Sequence, residues 1–510
     1  MRNHKRAALV VALLALAGAV MTAVALSSSS HAAALPIPQP ATDTAQFVKA
    51  GTTPPSNADC EAVKPAGITC FTPQAVQSAY NLGPLYEAGW TGKGVTIAIV
   101  DSYGSDTMAH DLHVYDTAFH LKPMCGEEGV KCDAGMPKFS ELSLNGTPDT
   151  KGQPGNGTHQ EDKSAWAIEV ALDVETSHAI APDANILLVH TNTAETLGVQ
   201  GFPNMMKAED YVVKNHLADV ISQSFGSAEE AFGSAQSLLN LRYAFEDAAA
   251  NDVTVLASTG DDGTSNSQKT PVGQGGSTIK HPTVGWPASD PLVTAVGGTY
   301  LCTDPTADTN DPRTKYAKPG VGAKCGNSFN PGGIYSEVAW TFSGGGFSSI
   351  FAKPSWQNSL PAGSSFSGST RGIPDVAFQA SSATGGLIYL SLPPDGNGSN
   401  INGNSTGWYS IGGTSLSCPQ WAGIVAIADQ LNKSLHNGAT LGFINPALYE
   451  LGANPTTYAN DFFDVASQNF NQEDPDVPGF QSTTGWDAVT GLGTPNAANL
   501  VPDLVTAANN

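Results

Sequence analysis

From Phe71 onward, short apolar runs of strand length alternate with stretches whose apolar residues recur at helical spacing. Gly94-Val-Thr-Ile-Ala-Ile-Val-Asp101 is apolar at nearly every position rather than at alternate ones, which marks a strand buried on both faces, and it ends in an acid. Runs of the same kind predict strands over 184–190, 219–224, 253–258 and 292–296. Between them, helical spacing predicts helices over 73–86, 164–174, 204–215 and 238–251. Strands alternating with helices at short spacing define an α/β fold with a mainly parallel sheet flanked by helices. Ligands of such sheets bind beyond the carboxyl ends of the strands. The segments 263–283 and 303–335 are rich in Gly, Ser, Thr and Pro and read as surface loops. No internal repeat and no second core are evident.

The first residues have a different texture. A basic Met1-Arg-Asn-His-Lys-Arg6 precedes an apolar run from Ala7 to Leu26, and Ser30-His-Ala-Ala-Ala34 offers small-residue cleavage sites. Residues 1–32 read as a secretory signal peptide, with an uncleaved anchor as the alternative. Residues 33–70, rich in Pro, Ala and Thr, read as a linker or a short pro-segment, and residues 71–510 as the globular domain. The expected location is secreted, extracellular.

Charge narrows the partners. The 46 acidic against 23 basic residues give a net charge of −23, which argues against nucleic acid or an anionic membrane. Such a chain tolerates low pH, where much of that charge is titrated away. Of seven cysteines, Cys60/Cys70, Cys125/Cys132 and Cys302/Cys325 are local pairs suited to disulfides after export. Cys418 is left over and reads as a buried structural thiol.

Candidate chemistry centres on Gly412-Gly-Thr-Ser-Leu-Ser-Cys-Pro419, a glycine-rich turn entering a small-residue apolar helix. Ser415 would sit at a helix start, where N–H groups and the positive end of the dipole suit a developing oxyanion. A serine nucleophile needs a base. Gly157-Thr-His159 resembles part of a subtilisin histidine motif, but polar Gln-Glu-Asp-Lys follows it, as for a loop histidine. Trp166-Ala-Ile-Glu169-Val-Ala-Leu-Asp173 instead places two carboxylates at i and i+4 of an otherwise apolar helix. Held close, they must share a proton. A third acid, in Thr259-Gly-Asp261-Asp-Gly263, lies in a turn after a core strand, where an oxyanion stabiliser would sit.

In this order, these motifs resemble the sedolisins, the serine-carboxyl peptidases with a subtilisin-like fold. Ser222-Gln-Ser-Phe-Gly226, Trp340-Thr-Phe-Ser-Gly-Gly-Gly346, Arg371-Gly-Ile-Pro-Asp-Val376 and Asp464…Gly485-Trp-Asp487 extend the resemblance over roughly residues 72–500. The resemblance implies that Ser415 attacks the peptide carbonyl, Glu169 moves its proton, Asp173 orients Glu169, and protonated Asp261 donates to the oxyanion. A glutamate base suits acid pH. The resemblance also implies that Ser224, Gly226, Ser343, Gly344 and Gly345 flank an extended polypeptide substrate. It further implies one structural calcium held by Asp464 and Asp487 with the carbonyls of Val465, Thr483 and Gly485, all oxygen donors. The family usually has Gly where Thr483 stands, a change a carbonyl ligand tolerates. Sedolisins commonly carry a large pro-domain, whereas only about forty residues separate signal from domain here. Two alternatives stand beside a monomeric acid endopeptidase: a neutral subtilisin-type protease using His159 and Asp101, and an exported pseudo-peptidase that binds peptides without cleaving them.

Overall fold

The computed structural model describes residues 39–40, 45–63, 68–144, 160–191, 201–266, 278–303, 325, 330, 335–391 and 406–510. The expected signal segment, His159 and most of the loops expected over 263–283 and 303–335 lie outside the described residues. In chain order the elements used below are β1 (Gln39–Pro40), β2 (Gln46–Lys49), β3 (Thr96–Ser102), α1 (Met108–Phe119), β4 (Phe139–Leu144), α2 (Gln160–Ile180), β5 (Asn185–Thr191), α3 (Gly201–Lys214), β6 (Val220–Gln223) and β7 (Phe225–Ala228). They continue with α4 (Tyr243–Ala250), β8 (Thr254–Ser258), β9 (Gly285–Trp286), β10 (Thr294–Leu301), β11 (Glu337–Ala339), β12 (Gly346–Ala352), β13 (Thr370–Ile373), β14 (Val376–Gln379), β15 (Gly386–Ser391), β16 (Thr406–Ile411) and α5 (Thr414–Leu435).

The central sheet runs β4, β5, β3, β6, β8, β10, all parallel. β14 adds to β10 in parallel along Val296–Thr299, and β11 pairs antiparallel with the end of β10 at Thr299–Leu301. Alternate side chains of β3 explain why its apolar run is unbroken. Ile97 and Ile99 enter a core with Val170 and Leu172 of α2 and Ile424 and Val425 of α5. Ala98 and Val100 enter a second core with Met205 and Val212 of α3 and Phe245 of α4. A strand covered on both faces has no polar side to show. The result is three layers, helices on either side of a mainly parallel sheet, with the carboxyl ends of β3, β6 and β8 at one edge.

Most predicted elements recur within a few residues, and the differences have local causes. The helix expected over 73–86 is two, Pro73–Ala79 and Gly83–Glu87. Asn81 turns left-handed at φ 60° and ends the first, and Pro84 suits the opening turn of the second. The helix expected over 238–251 is likewise divided, into Ala235–Leu239 and α4. α2 outruns the expected 164–174 and ends at Ile180, before Pro182, which cannot continue it. The strand expected over 219–224 stops at Gln223. The chain then leaves the central sheet as β7, which pairs with β9 on one edge and β1 on the other.

Where described, the segment before residue 71 is built into this fold. β2 joins β16 and β15 in an antiparallel sheet, and the Cys60–Cys70 disulfide closes a short loop. Cys125–Cys132 and Cys302–Cys325 are also bonded, and Cys418 is free and buried, its thiol pushed up to about 12 by burial. No helix among the described residues is long and apolar enough to cross a membrane.

Candidate active site

Two helices carry the reactive groups, and their approach is set by a glycine. Gly423 of α5 lies so close to Ile180 of α2 that a Cβ there would stand 2.7 Å from that side chain. The crossing brings the start of α5, with Ser415 as its second residue, against the face of α2 that carries Glu169 and Asp173. Gly413, at φ 111°, makes the turn that enters α5, a conformation L side chains rarely adopt. Ser415, Glu169 and Asp173 are fully buried. The Ser415 hydroxyl faces Glu169 and favours its charged form, although no well-formed hydrogen bond closes between them. Such bonds are often long until substrate arrives.

A third buried carboxyl joins the pair. Asp101, at the carboxyl end of β3, is also fully buried. Burial pushes it up to about 8. Burial likewise raises Glu169 well above the carboxylate range, and the charges of Asp173 and Asp101 raise it further. Asp173 is raised by burial and by Asp101, while the Ser224 hydroxyl works the other way. None of the six oxygens closes a well-formed hydrogen bond. Three carboxyls in one dry space cannot all ionise, so the cluster holds protons well above the pH at which exposed carboxyls lose theirs. The neutral-protease alternative cast Asp101 as partner to His159; the structure sets it beside the acid pair. Its position at the end of a core strand was the signal available in the sequence.

Asp261 approaches from the other side, on the turn after β8, and its charge is felt at Glu169. Its Oδ1 accepts from the Thr414 N–H (2.7 Å) and from the Thr414 hydroxyl (2.9 Å). The four acids and Ser415 thus share one site at the carboxyl edge of the sheet, and the free Cys418 packs beside it, its Sγ against Ser222 Oγ at 3.4 Å.

The expected substrate walls divide. Ser224 faces Asp173, and Gly226 lies on β7, whose free edge is met antiparallel by β1, with Gln39 opposite Gly226 and Pro40 opposite Phe225. Ser343, expected against substrate, has its main chain and hydroxyl engaged internally. Its N–H donates to Trp340 O (3.1 Å), its carbonyl accepts from Asn471 Nδ2 (3.0 Å), and its hydroxyl donates to Val489 O (2.8 Å). The Gly344 N–H is likewise held by Gly260 O, leaving its carbonyl and Gly345. Sequence reasoning missed Asn471, which is fully buried and also bonds to Ala488 O and the Phe480 N–H. A lone Asn in a polar loop carries no pattern.

Asp464 and Asp487 form a second centre. Asp464 Oδ2 accepts from the Gly485 N–H, and Asp487 accepts from the N–H groups of Thr483, Val489 and Thr490, each at 2.9 Å. Asp487 is fully buried, and neither acid has a basic partner among the described residues. The carbonyls of Val465, Thr483 and Gly485 accept no hydrogen bond there either. The described residues hold no cluster of three His, Cys, Asp or Glu side chains fit for a metal, so any site would rest on two carboxylates and main-chain oxygen. Two uncompensated carboxylates beside unused carbonyls fit a hard cation.

This fold and site define a subtilisin-like α/β protein in which Ser415 is gathered with buried carboxyl groups. The subtilase family model matches residues 92–442, and the chain belongs to that family. It is 30% identical over 453 residues to kumamolisin of Bacillus sp. (strain MN-32), covering 87% of this chain and 65% of that protein. It is 28% identical over 364 residues to human tripeptidyl-peptidase 1, covering 68% and 53%. The chain therefore spans between half and two thirds of these relatives' length. Among solved structures, Pseudomonas sedolisin (serine-carboxyl proteinase) complexed with two molecules of pseudo-iodotyrostatin shares the fold. That match has a TM-score of 0.59 and 24% identity over 85% of this chain and 98% of that one.

Proposed function

We propose that this chain is an exported, monomeric serine-carboxyl endopeptidase that cleaves polypeptides at acid pH. The observation that carries the reading is the convergence of Ser415 with Glu169, Asp173 and Asp261 at the carboxyl edge of the sheet.

Ser415 Oγ bonds to the peptide carbonyl carbon as its proton passes to Glu169. Because burial and neighbouring acids raise Glu169, it is a stronger base than an exposed glutamate. Asp173 orients it and shares the proton, as a triad's acid does for histidine. Protonated Asp261 donates to the oxyanion, joined by the Ser415 N–H, which as a first-turn amide has no partner within its helix. Glu169 then gives its proton to the leaving nitrogen as the C–N bond breaks. A water molecule repeats the cycle on the acyl-enzyme, giving its proton to Glu169 and releasing Ser415.

The edge of β7 that β1 now occupies, around Ser224 and Gly226, with Gly344 and Gly345 opposite, would pair with extended substrate once β1 leaves it. Residues 33–70 are read as a short pro-segment: β1 lies on that same edge, and the nucleophile beneath is fully buried. Asp464, Asp487 and the carbonyls of Val465, Thr483 and Gly485 would hold calcium, which supplies rigidity rather than chemistry.

The test is hydrolysis of denatured protein across pH, with Ser415→Ala as control. Activity in acid, abolished by that substitution, is the expected result. A neutral optimum that needs His159 would return the histidine mechanism, and a folded protein inactive at every pH would make the chain a binder.

A further inference from the structure

We propose that Thr414 is a positioning residue that fixes which oxygen of Asp261 carries the proton. It rests on the reading of Asp261 as the oxyanion donor. A neutral carboxyl has one hydrogen and two places to put it, and only one of them serves an oxyanion.

Thr414 removes the choice. Its main-chain N–H and its hydroxyl both donate to the same oxygen, Oδ1, at 2.7 and 2.9 Å. A proton on Oδ1 would point at two other hydrogens, so the proton resides on Oδ2. The hydroxyl is itself oriented: Thr414 Oγ1 accepts from the Gly260 N–H at 3.0 Å, which leaves its own hydrogen for Asp261. Gly260 precedes Asp261, so one hydroxyl holds both the backbone of that turn and its side chain. Thr414 is fully buried, and its Cγ2 is 3.5 Å from where a Cβ on Gly298 would stand, so its rotamer is set by packing as well as by hydrogen bonds. Because Thr414 also directly precedes Ser415, the donor and the nucleophile are registered through a single residue. The same geometry dictates the orientation of an amide at position 261: its oxygen must face Thr414, and its NH2 is presented in place of the Oδ2 hydroxyl.

The experiment is a double-mutant cycle on the full chain, reading kcat and KM on a peptide substrate at acid pH. Thr414→Val keeps the methyl and the N–H and deletes the hydroxyl; Thr414→Ser keeps the hydroxyl. Thr414→Val should lower kcat by about tenfold with KM little changed, the size of one lost hydrogen bond. Thr414→Ser should retain kcat within about twofold. In the Asp261→Ala background, Thr414→Val should cost no further kcat, because the bond it still breaks, from the Gly260 N–H, then holds a turn that carries no donor. Melting temperatures establish that each variant is folded. If Asp261→Ala is impaired and Thr414→Val lowers kcat as much in that background as in the native one, Thr414 acts elsewhere and the inference is overturned. Native kcat in Thr414→Val, or an equal loss in folded Thr414→Ser, overturns it too. If Asp261→Ala alone turns over at the native rate, the oxyanion reading fails first and this inference falls with it.

Discussion

At the scale of single residues, the proposed chemistry depends on buried carboxyls that hold protons, in a protein that is otherwise strongly anionic. Asp261, as the proposed oxyanion donor, gives the first test. An amide donates a hydrogen bond at any pH, so Asp261→Asn should keep part of its activity and lose less of it between acid and neutral pH. Asp261→Ala should lose about 100- to 1000-fold in kcat. Native turnover in the alanine variant would remove Asp261 from the reaction. Asp101 gives a second test. Its charge raises both Glu169 and Asp173. Neutral Asn lowers both, so the acid limb of the kcat profile, where Glu169 gains its proton, should move to lower pH. An unmoved limb would show that Asp101 is only packed there. Residue chemistry was legible where spacing constrained it: Glu169 and Asp173 share a helix face by the i, i+4 rule, and Ser415 and Asp261 sit on turns with recognisable glycines. Asp101, Thr414 and Asn471 were not assigned their places, because a strand-end acid, a turn threonine and a loop asparagine acquire roles only from partners distant in sequence.

Elements decide whether those residues meet. Ser415 and Glu169 are 246 positions apart in the chain, and what joins them is the close crossing of α5 on α2 at Gly423. A valine at position 423 should push the helices apart, lowering kcat strongly and costing about 1–3 kcal/mol of stability, the usual range for overpacking. A folded Gly423→Val with native kcat would mean the crossing is not what seats the serine. β3, β5, β6, β8 and β10 of the central sheet were legible as short apolar runs, whereas β4, which carries Ser140, Glu141 and Ser143, and the short β11 and β14 were not. Helix breaks were not, since Asn81 and its neighbours interrupt a pattern that hydrophobic spacing alone continues. The pairing of β1 with β7 and of β2 with β16 was also hidden: short edge pairings between distant segments leave no periodicity, and Pro-rich composition reads as linker. The commitment of Ser343 to Asn471 and Val489 belongs to this scale as well, because it ties the wall of the cleft to the loop bearing Asp487.

Over the whole molecule, buried acid is distributed far beyond the site. Burial pushes Asp111 up to about 6, Glu127 and Asp487 to about 7, and Asp429 to about 8, and it raises Glu175 and Glu209 well above the carboxylate range. A carboxyl raised in the folded state binds its proton more tightly folded than unfolded. Its stabilisation is therefore complete below the unfolded pKa and is lost as pH rises toward the folded one. His178, raised despite burial by the neighbouring Asp116, has the same sign; His190, lowered by burial, opposes it. The growing share of a net charge of −23 adds self-repulsion in the same direction. The melting temperature, measured with chelator present, should fall steadily from pH 4 to pH 8, and a rise over that range would contradict the burial of these groups. Calcium at the proposed site would act on this background as a local tie. Among the described residues Asp464 and Asp487 lack a basic partner, and an ion between them would bind the folded state alone and stabilise it with concentration. At pH 6, excess calcium should raise the melting temperature by roughly 5 °C over chelator, the scale of a few kcal/mol in a domain this large. Asp464→Asn keeps an acceptor for the Gly485 N–H and removes a charge, so it should melt near the chelated value and ignore calcium. Because Val489 and Asn471 hold Ser343, chelation should also raise KM more than it lowers kcat. Unchanged melting under chelator, with no calcium found by metal analysis of the purified protein, would leave these two acids as hydrogen-bond acceptors and nothing more.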